Sequence, residues 1–343
     1  MSGLRVGVLG ATGLVGSAIL ELLEKRGFPA AEVVPFASER SVGRQIAWNG
    51  STLECRPLDE ETIQGLDIVL SSAGGAVSAE WAPRFVEAGA VVVDNTSHWR
   101  MHDDVPLVVA EVNPEALGSH RGIIANPNCS TMQMVVALKP LYDAAGIERL
   151  VIATYQAVSG TGKRAVDELR AQSEAVLAGE EPVGEVYPHP IAFNVLPQAG
   201  SFAPGDDHTD EERKLINETR KILGDERIRV SATCVRVPVV TGHSEAVNVE
   251  TREPLSPERA RELLSAAPGV RVLDDPGAAT YPIATKAADR DEVFVGRIRR
   301  DPGNERALDL WVVSDNLRKG AATNAVQIAE LLVEHNLVGT VAK

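Results

Sequence analysis

The sequence is poor in aromatic residues, cysteines and clustered positive charge. Aromatic side chains make up 4% of its 343 residues, and the three cysteines show no CxxC spacing. An odd number of cysteines without metal-ligand spacing predicts a reducing, cytoplasmic location and gives little support to a zinc enzyme. The formal net charge is −14, and without long Lys/Arg runs we expect no nucleic-acid partner.

Long apolar runs are also missing from the sequence. No uninterrupted run approaches the length that spans a membrane, and the strand-like LRVGVL begins at Leu4, which leaves no room for a signal peptide. We therefore expect no membrane partner. A chain of 343 residues with 44% apolar residues is long enough for two hydrophobic cores.

The pattern of apolar residues changes about halfway along the chain. In the first half, short strand patterns such as 4–9 and 91–94 alternate with helical patterns such as 14–25. This alternation predicts βαβ units in a Rossmann-type, doubly wound parallel sheet. In the second half, longer strand patterns such as 229–240 and 308–314 leave less room for helices between them, which favours a mainly antiparallel sheet.

We therefore predict an α/β protein with two domains. Residues 1–130 form an NADP-binding domain, and residues 131–315 form an α+β catalytic and dimerisation domain. The segment 316–343, with a helical pattern at about 321–334, completes the first domain. A helix is also predicted at 210–223, where Thr209 and Glu212 have the spacing of a capping box.

A glycine-rich turn follows the first predicted strand. Gly10, Gly13 and Gly16 are spaced by three residues and stand between a strand and a helix. Such glycines permit a tight turn, close approach of backbone N–H groups to a pyrophosphate, and packing of the helix on the strand. Their position in a βαβ unit predicts a dinucleotide site, although a glycine motif alone is weak support.

The residues after the second strand bear on the choice of dinucleotide. An NAD site usually has an acidic residue here, which binds the ribose 2′-hydroxyl. This sequence instead has Arg40 with Ser38 and Ser41, groups able to bind a 2′-phosphate. Glu39 is an acidic residue of the kind found in NAD sites, and Arg40 alone is also interpretable as a solvated loop charge. Arg40 together with the two serines nevertheless favours NADP.

Cys129 directly follows Asn-Pro-Asn, where a strand pattern gives way to a helical one. The unpaired N–H groups of a first helical turn lower the pKa of a thiol, so this is a position for a nucleophile. On its own, a buried structural cysteine is about as frequent. His243 follows an apolar strand and a Thr-Gly turn, and Arg236 lies within that strand, where a guanidinium needs a carboxylate partner or exposure.

Several blocks in order along the whole chain resemble the aspartate-semialdehyde dehydrogenase family. They are Gly10-Ala-Thr-Gly-Leu-Val-Gly16, Asp94-Asn-Thr-Ser-His-Trp-Arg100, Asn126-Pro-Asn-Cys-Ser-Thr131, Tyr155-Gln-Ala-Val-Ser-Gly160, Glu211-Glu-Arg-Lys214, Arg236 to His243, and Asp315-Asn-Leu-Arg-Lys-Gly320. The resemblance implies reversible, NADP-dependent reduction of L-4-aspartyl phosphate to L-aspartate 4-semialdehyde through a cysteine thioester. It also implies a homodimer that serves lysine, methionine, threonine and isoleucine biosynthesis.

The resemblance also implies roles for particular residues. The catalytic residues are Cys129 as nucleophile, His243 as acid/base and Gln156, which orients the substrate; those for substrate and phosphate are Arg100, Asn128, Glu211, Lys214 and Arg236; those for NADP are Gly10, Thr12, Gly13, Leu14, Val15, Arg40, Ser41, Ser159, Gly160 and Asn316. No metal ligand is implied. Without the resemblance, an ordinary ion pair on a helix surface is the favoured interpretation of Glu211 and Lys214.

Two alternative functions remain open from the sequence. The first is reduction of another acyl phosphate, such as N-acetylglutamyl phosphate, which has no ammonium group for Glu211 to bind. The second is a non-catalytic NADP-binding sensor that keeps the fold and has lost the chemistry. The presence of Cys129, Gln156, Arg236 and His243 together argues against the sensor.

Overall fold

The computed structural model describes residues Gly3–Gly339, which form two compact units. The first unit contains the chain up to Asn128 and again from Ala321, and the second is Cys129–Gly320. Residues 1–2 and 340–343, which belong to the predicted segments 1–130 and 316–343, lie outside the described residues. The assignment of cofactor binding to one domain and of catalysis to the other stays a prediction.

The elements of both units follow one another along the chain. The strands are β1 Leu4–Leu9, β2 Ala30–Phe36, β3 Gln45–Trp48, β4 Ser51–Glu54, β5 Ile68–Ser71, β6 Val91–Asp94, β7 Ile123–Ala125, β8 Ile147–Gln156, β9 Arg229–Arg236, β10 His243–Thr251, β11 Val270–Val272, β12 Val293–Asp301 and β13 Asn304–Ser314. The helices are α1 Leu14–Lys25, α2 Gly75–Glu87, α3 Cys129–Ala145, α4 Lys163–Leu177, α5 Asp210–Leu223, α6 Pro257–Ala266, α7 Ala284–Ala287 and α8 Thr323–Glu334.

The first unit is built on a parallel sheet with the strand order β2-β1-β5-β6-β7. Every pairing in this sheet is parallel, as the alternation of strand and helix predicts. Helices α1 and α8 contribute to the hydrophobic core on one face, and α2 contributes to the core on the other. The predicted Rossmann-type, doubly wound sheet is therefore confirmed.

Helix α8 packs within the first unit although it is the last helix of the chain. Ile328 and Leu332 are fully buried in the same core cluster as α1. The Asn324 amide accepts from Ala110 N–H and donates to the carbonyl oxygen of Val108. The apolar stripe seen in the sequence is thus buried against this unit, and polar contacts fix its register.

The second unit is built on a mixed sheet with the order β11-β12-β13-β10-β8-β9. The three central pairings are antiparallel and the two outer ones are parallel, so the predicted mainly antiparallel sheet is confirmed. Helix α3 packs on β8, β10 and β13, and α5 packs on β9. On β8, Thr154 and Gln156 are buried on the inner face, whereas Val151 and Tyr155 are exposed on the outer face.

Two details show how local chemistry sets the ends of elements. Helix α5 has the predicted capping box: Thr209 Oγ1 accepts from Glu212 N–H at 3.3 Å, and Glu212 Oε2 accepts from Thr209 N–H at 2.8 Å. The strand predicted at 229–240 is shorter, since β9 ends at Arg236. Pro238 follows two residues later, and a proline has no N–H to continue the ladder.

Residues 3–339 contain neither a membrane-spanning helix nor a metal-binding cluster. No helix in that range has the length and apolar character needed to cross a membrane. Nor does that range contain a group of three or more His, Cys, Asp or Glu residues arranged to hold a metal ion. All three cysteines are thiols, and Cys55 and Cys234 are buried whereas Cys129 is partly exposed.

Candidate active site

The inner face of the second unit's sheet collects polar side chains at one edge. Gln156 ends β8 and Arg236 ends β9, and these two residues are register partners in a parallel pair. His243 begins β10, which runs antiparallel to β8. The carboxyl ends of β8 and β9 therefore lie at the same edge as the amino end of β10, and the strand register alone places Gln156, Arg236 and His243 together.

Cys129 is the first residue of α3 and differs in environment from the other two cysteines. Burial raises the pKa of the Cys55 thiol and of the Cys234 thiol, which suits inert core residues. A Cβ atom added at Gly320 would lie 2.9 Å from Cys129 Cβ, so only glycine fits beside this residue. No local pattern singles out Gly320 for this purpose, because the contact joins segments that are distant in the chain.

Gln156 connects the start of α3 to α5. Its Nε2 donates to Ser130 Oγ at 2.9 Å and to Glu211 Oε1 at 3.3 Å. The other oxygen of Glu211 accepts from Lys214 Nζ at 3.2 Å. Gln156, Glu211 and Lys214 are therefore brought together next to Cys129, as the resemblance implied, and Ser130 is an additional member that the sequence analysis missed.

The Glu211–Lys214 pair is not an ordinary surface pair. The Glu211 side chain is 10% exposed and that of Lys214 is 25% exposed. Burial by itself would lower the pKa of Lys214, but the carboxylates of Glu211 and Asp210 raise this pKa above its usual value. Lys214 thus stays charged. Because it lies beside a buried carboxylate, the Glu211–Lys214 pair differs from the ordinary surface ion pair that is favoured without the resemblance.

The backbone of one residue, Ala157, holds both His243 and Arg236. Its N–H donates to His243 Nδ1 at 3.0 Å, and its carbonyl oxygen accepts from Arg236 Nη1 at 2.8 Å. Because Nδ1 is the acceptor, the neutral imidazole carries its proton on Nε2. Burial, reinforced by the Arg236 charge, lowers the pKa of His243 well below its usual value and keeps the ring neutral.

Arg236 is a buried cation without a carboxylate partner in the structure. The residue is 6% exposed, and within residues 3–339 no carboxylate lies within ion-pair distance of it. Its guanidinium also lies 6.0 Å from the ring centroid of Tyr187, a contact that the sequence analysis did not foresee. A buried guanidinium without an anion is costly, so this position favours binding of an anionic ligand.

The three residues predicted at the nicotinamide end lie beside this cluster. A Cβ atom added at Gly160 would lie 3.2 Å from Arg236 Nη1 and from His243 Nε2, so the glycine leaves both groups unobstructed. Asn316 Nδ2 donates to Ser159 Oγ at 2.9 Å, and Asn316 Oδ1 accepts from Gly242 N–H at 2.9 Å. Ser159, Gly160 and Asn316 therefore surround the loop that presents His243.

The glycine-rich turn of the first unit joins β1 to α1. Gly10 has φ +83°, and a Cβ atom there would lie 2.8 Å from the Ser72 carbonyl oxygen. A Cβ atom at Gly16 would lie 2.1 Å from the Gly10 carbonyl oxygen, and Gly13 is the N-cap residue of α1. Thr12, Leu14 and Val15 complete a turn that opens at a helix N-terminus, as the dinucleotide prediction requires.

Arg40 and Ser41 lie in a short 3₁₀ turn that follows β2. Strands β1 and β2 are parallel neighbours whose last residues, Leu9 and Phe36, are register partners. The turn that carries Arg40 therefore leaves the same edge of the sheet as the glycine-rich turn, and Arg40 is exposed there. This is the edge at which doubly wound sheets bind nucleotides.

Arg100 and Asn128, the remaining predicted phosphate contacts, are both buried in the first unit. Arg100 Nε donates to the Asn126 carbonyl oxygen at 3.0 Å, and Arg100 Nη2 donates to the Asn95 carbonyl oxygen at 2.8 Å. These bonds fix the loop that precedes Cys129 in the sequence. The contact of Arg100 and Asn128 with phosphate stays a prediction.

Comparison with known protein families agrees with the two-part organisation. Residues 5–120 match the family described as semialdehyde dehydrogenase, NAD binding domain. Residues 138–319 match the family described as semialdehyde dehydrogenase, dimerisation domain. The two matches together cover most of the chain, and each falls largely within one of the two units.

Similar individual proteins carry a more specific name. Aspartate-semialdehyde dehydrogenase of Aquifex aeolicus is 56% identical over 340 residues, which are 98% of this chain and 100% of that protein. The crystal structure of aspartate semialdehyde dehydrogenase II from Vibrio cholerae, complexed with ASA, has a TM-score of 0.95 and 49% identity, and covers 97% of this chain and 99% of that one. The Candida albicans enzyme with NADP has a TM-score of 0.75 and 29% identity over 98% and 100% of the chains.

The crowding at Gly160 yields a first prediction. Gly160→Ala places a methyl group against Arg236 Nη1 and His243 Nε2, and we expect semialdehyde dehydrogenase kcat/KM to fall at least about tenfold, a change of ~1.4 kcal/mol. Gly118→Ala is the matched control, because a methyl group there meets nothing within 4 Å. The measurement is kcat/KM of both variants by steady-state kinetics. Equal values would show that neither substrate nor cofactor needs the space between Gly160 and the Arg236 and His243 side chains.

Proposed function

The chain belongs to the aspartate-semialdehyde dehydrogenase family, and from this premise we propose a specific reaction. The protein converts L-4-aspartyl phosphate and NADPH reversibly to L-aspartate 4-semialdehyde, phosphate and NADP, in lysine, methionine, threonine and isoleucine biosynthesis. The observation that best supports the proposal is Arg236, a buried guanidinium without a carboxylate partner in the described residues, in the cluster that contains His243. A substrate with a carboxylate supplies the missing anion.

Recognition of the aspartyl group uses both signs of charge. Arg236 binds the α-carboxylate through its guanidinium fork, and Glu211 binds the α-ammonium group. Lys214, together with Arg100 and Asn128, binds the phosphate group, for which an ammonium with a raised pKa is suited. In a protein of net charge −14, these few placed cations supply the local attraction that the overall field does not.

The acyl transfer begins at Cys129. Its thiolate attacks the carbonyl carbon of the acyl phosphate, the carbon–oxygen bond to phosphate breaks, and a thioester forms. The position of Cys129 at the start of α3 favours the thiolate through the helix dipole, and Gln156 orients the bound acyl group. A thiol is suited to both steps because it is a strong nucleophile and later a good leaving group.

His243 handles the proton at the reacting oxygen. Its Nδ1 is occupied by the Ala157 N–H, and its Nε2 has no partner among the described residues, so Nε2–H is the group available to the carbonyl oxygen. As the tetrahedral oxygen forms, this N–H stabilises its negative charge, and the same nitrogen takes part in proton exchange when the thiohemiacetal breaks down. Removal of the Cys129 proton by Nε2 would first require this nitrogen to lose its own.

The cofactor site is built from the turn after β1 and the turn after β2. Residues Thr12 to Val15 bind the pyrophosphate at the start of α1, and Gly10 and Gly13 allow close approach. Arg40 and Ser41 bind a 2′-phosphate, which selects NADP; the Candida albicans relative was solved with this cofactor. When bound, the nicotinamide supplies hydride to the thioester carbon. Ser159, Gly160 and Asn316 position its ring.

We further propose a homodimer that forms through the second unit. Val151 and Tyr155 are exposed on the outer face of β8, and the Tyr155 ring lies 5.4 Å from that of Trp311. An exposed apolar sheet face is suited to pairing with a second copy. The cytoplasmic location expected from the sequence stays a prediction.

A single assay tests the reaction as a whole. Aspartate semialdehyde and NADP should give a phosphate-dependent rise in NADPH absorbance. N-acetylglutamate semialdehyde, the substrate of the rival acyl-phosphate reductase, should give almost none, because its acylated nitrogen offers no ammonium group to Glu211. The opposite preference, or a rate that does not depend on phosphate, would contradict the proposal.

The nucleophile can be tested separately from cofactor binding. We predict that Cys129→Ser lowers kcat by at least about 10³-fold, because a serine hydroxyl is far less ionised than a thiol, and leaves NADPH affinity nearly unchanged. Turnover and fluorescence titration with NADPH measure the two quantities. Cys234→Ser is the matched control, since that thiol is buried in β9. Wild-type activity of Cys129→Ser would rule out the thioester route.

Cofactor selection rests on the turn after β2. Arg40→Ala removes the charge proposed to bind the 2′-phosphate, and a charge-assisted hydrogen bond of this kind is worth about 1.5–3 kcal/mol. We predict that the KM for NADPH rises about tenfold or more while the KM for NADH changes little. Arg44→Ala, which removes another exposed cation close in sequence, is the control. Equal effects on both cofactors would argue against a 2′-phosphate contact at Arg40.

A further inference from the structure

Glu245 is a buried acidic residue that the proposed reaction does not use. It lies on β10 two residues after His243, so both side chains point to the inner face of the sheet. Both residues are fully buried. Helix α3 packs on this face, and its Gln133 lies four residues after Cys129, one turn further along the same side of the helix.

Gln133 and Glu245 are neighbouring buried polar side chains with more acceptors than donors. The Gln133 side chain lies beside the Glu245 carboxyl group and lowers its pKa, while Gln133 Nε2 donates to the His243 carbonyl oxygen at 3.4 Å. Three buried oxygens, Gln133 Oε1 and both carboxyl oxygens of Glu245, have no donor among the described residues. A proton on Glu245 would supply a donor to this group of acceptors.

The charges around Glu245 do not favour its ionised form. Its register partners are Thr154 on β8 and Val312 on β13, neither of which titrates. The titratable groups nearby are Cys234, whose pKa the Glu245 charge would raise, and His243, which is neutral. No Lys or Arg within residues 3–339 forms an ion pair with it. Burial raises the pKa of Glu245 well above its usual value, an effect larger than the lowering by the Gln133 side chain.

We propose that Glu245 is a positioning residue for Cys129 and His243: in its neutral form it donates its O–H to Gln133 Oε1 and so ties the second turn of α3 to strand β10. The inference rests on the proposed roles of these two catalytic residues. Gln133 carries the connection further, since its amide also holds the carbonyl group of His243. The hydrogen bond between Glu245 and Gln133 therefore fixes the distance between the Cys129 end of α3 and β10, the strand that carries the His243 imidazole.

The protonated state matters for the chemistry as well as for the packing. An ionised carboxylate beside Gln133, which lies one helical turn from Cys129, would oppose formation of the thiolate, because like charges in a medium of low dielectric constant repel strongly. A neutral carboxyl group gives the same hydrogen bond without that penalty. A protonated Glu and a Gln should therefore be nearly interchangeable at position 245, whereas an apolar residue should not.

The test compares variants of similar size at both positions. Glu245→Leu removes the hydrogen bond, and we expect kcat to fall about 10- to 100-fold with little change in KM, as for misplaced reacting groups. Glu245→Gln should rescue most of that loss. The double variant that combines Gln133→Glu with Glu245→Gln should also keep most of the activity, because it again pairs one acid with one amide. Thr154→Val, which removes a buried hydroxyl opposite Glu245, is the control and should leave kcat near that of the wild type.

Two measurements detect the proton without any turnover. The infrared spectrum at neutral pH should contain the carbonyl band of a protonated carboxylic acid, and Glu245→Gln should remove it. The pKa of Glu245 is raised in the folded protein above its ordinary value of 4.5, so the unfolded state loses this proton first as pH rises. Between about pH 5 and pH 8, wild type should therefore lose denaturant stability relative to Glu245→Gln.

The outcomes separate this inference from the proposed function. If Glu245→Gln is as slow as Glu245→Leu, or if the infrared band is absent in wild type, Glu245 acts as an anion and the proposal is wrong. If Glu245→Leu folds and keeps the kcat of the wild type, the pair has no positioning role. A fully active Cys129→Ser variant would overturn the proposed reaction instead, and would leave the infrared and stability results unaffected.

Discussion

The backbone of Ala157 makes the contacts on which the candidate active site depends. Its N–H donates to His243 Nδ1, which leaves Nε2 as the ring nitrogen available to a substrate. Its carbonyl oxygen accepts from the Arg236 guanidinium. Ala157 directly follows β8, so both groups are tied to the end of that strand. The proposed acid/base group and the proposed carboxylate anchor are therefore placed relative to each other by the backbone of a single residue.

Buried charge is the second constraint on this site. Arg236 has no carboxylate partner in the described residues, Glu211 is paired with Lys214, and Glu245 faces only neutral groups. Each of these states is costly for folding alone. The proposed reaction explains these buried groups. A zwitterionic substrate would supply a carboxylate to Arg236, and a proton on Glu245 would remove a charge that opposes the thiolate.

The sequence predicted the features that depend on local signals. The strand at 4–9, the helix at 14–25 and the capping box of Thr209 were found because their patterns are complete within a few residues. The β3–β4 hairpin was missed despite its Asn49-Gly50 turn, which has positive φ at both residues and is typical of hairpins. The roles of Gly320, Tyr187 and Glu245 depend on contacts between segments far apart in the chain, which no local pattern contains.

In the proposed reaction, the acyl group is carried by one sulfur atom, Cys129 Sγ. To test this, the protein is mixed with aspartate semialdehyde and NADP in the absence of phosphate and quenched with acid. The mass of the peptide that contains Cys129 is then measured by mass spectrometry. The peptide should gain the mass of an aspartyl group in thioester linkage, and added phosphate should remove it. An unmodified Cys129 peptide, in an enzyme that turns over once phosphate is added, would contradict the thioester route.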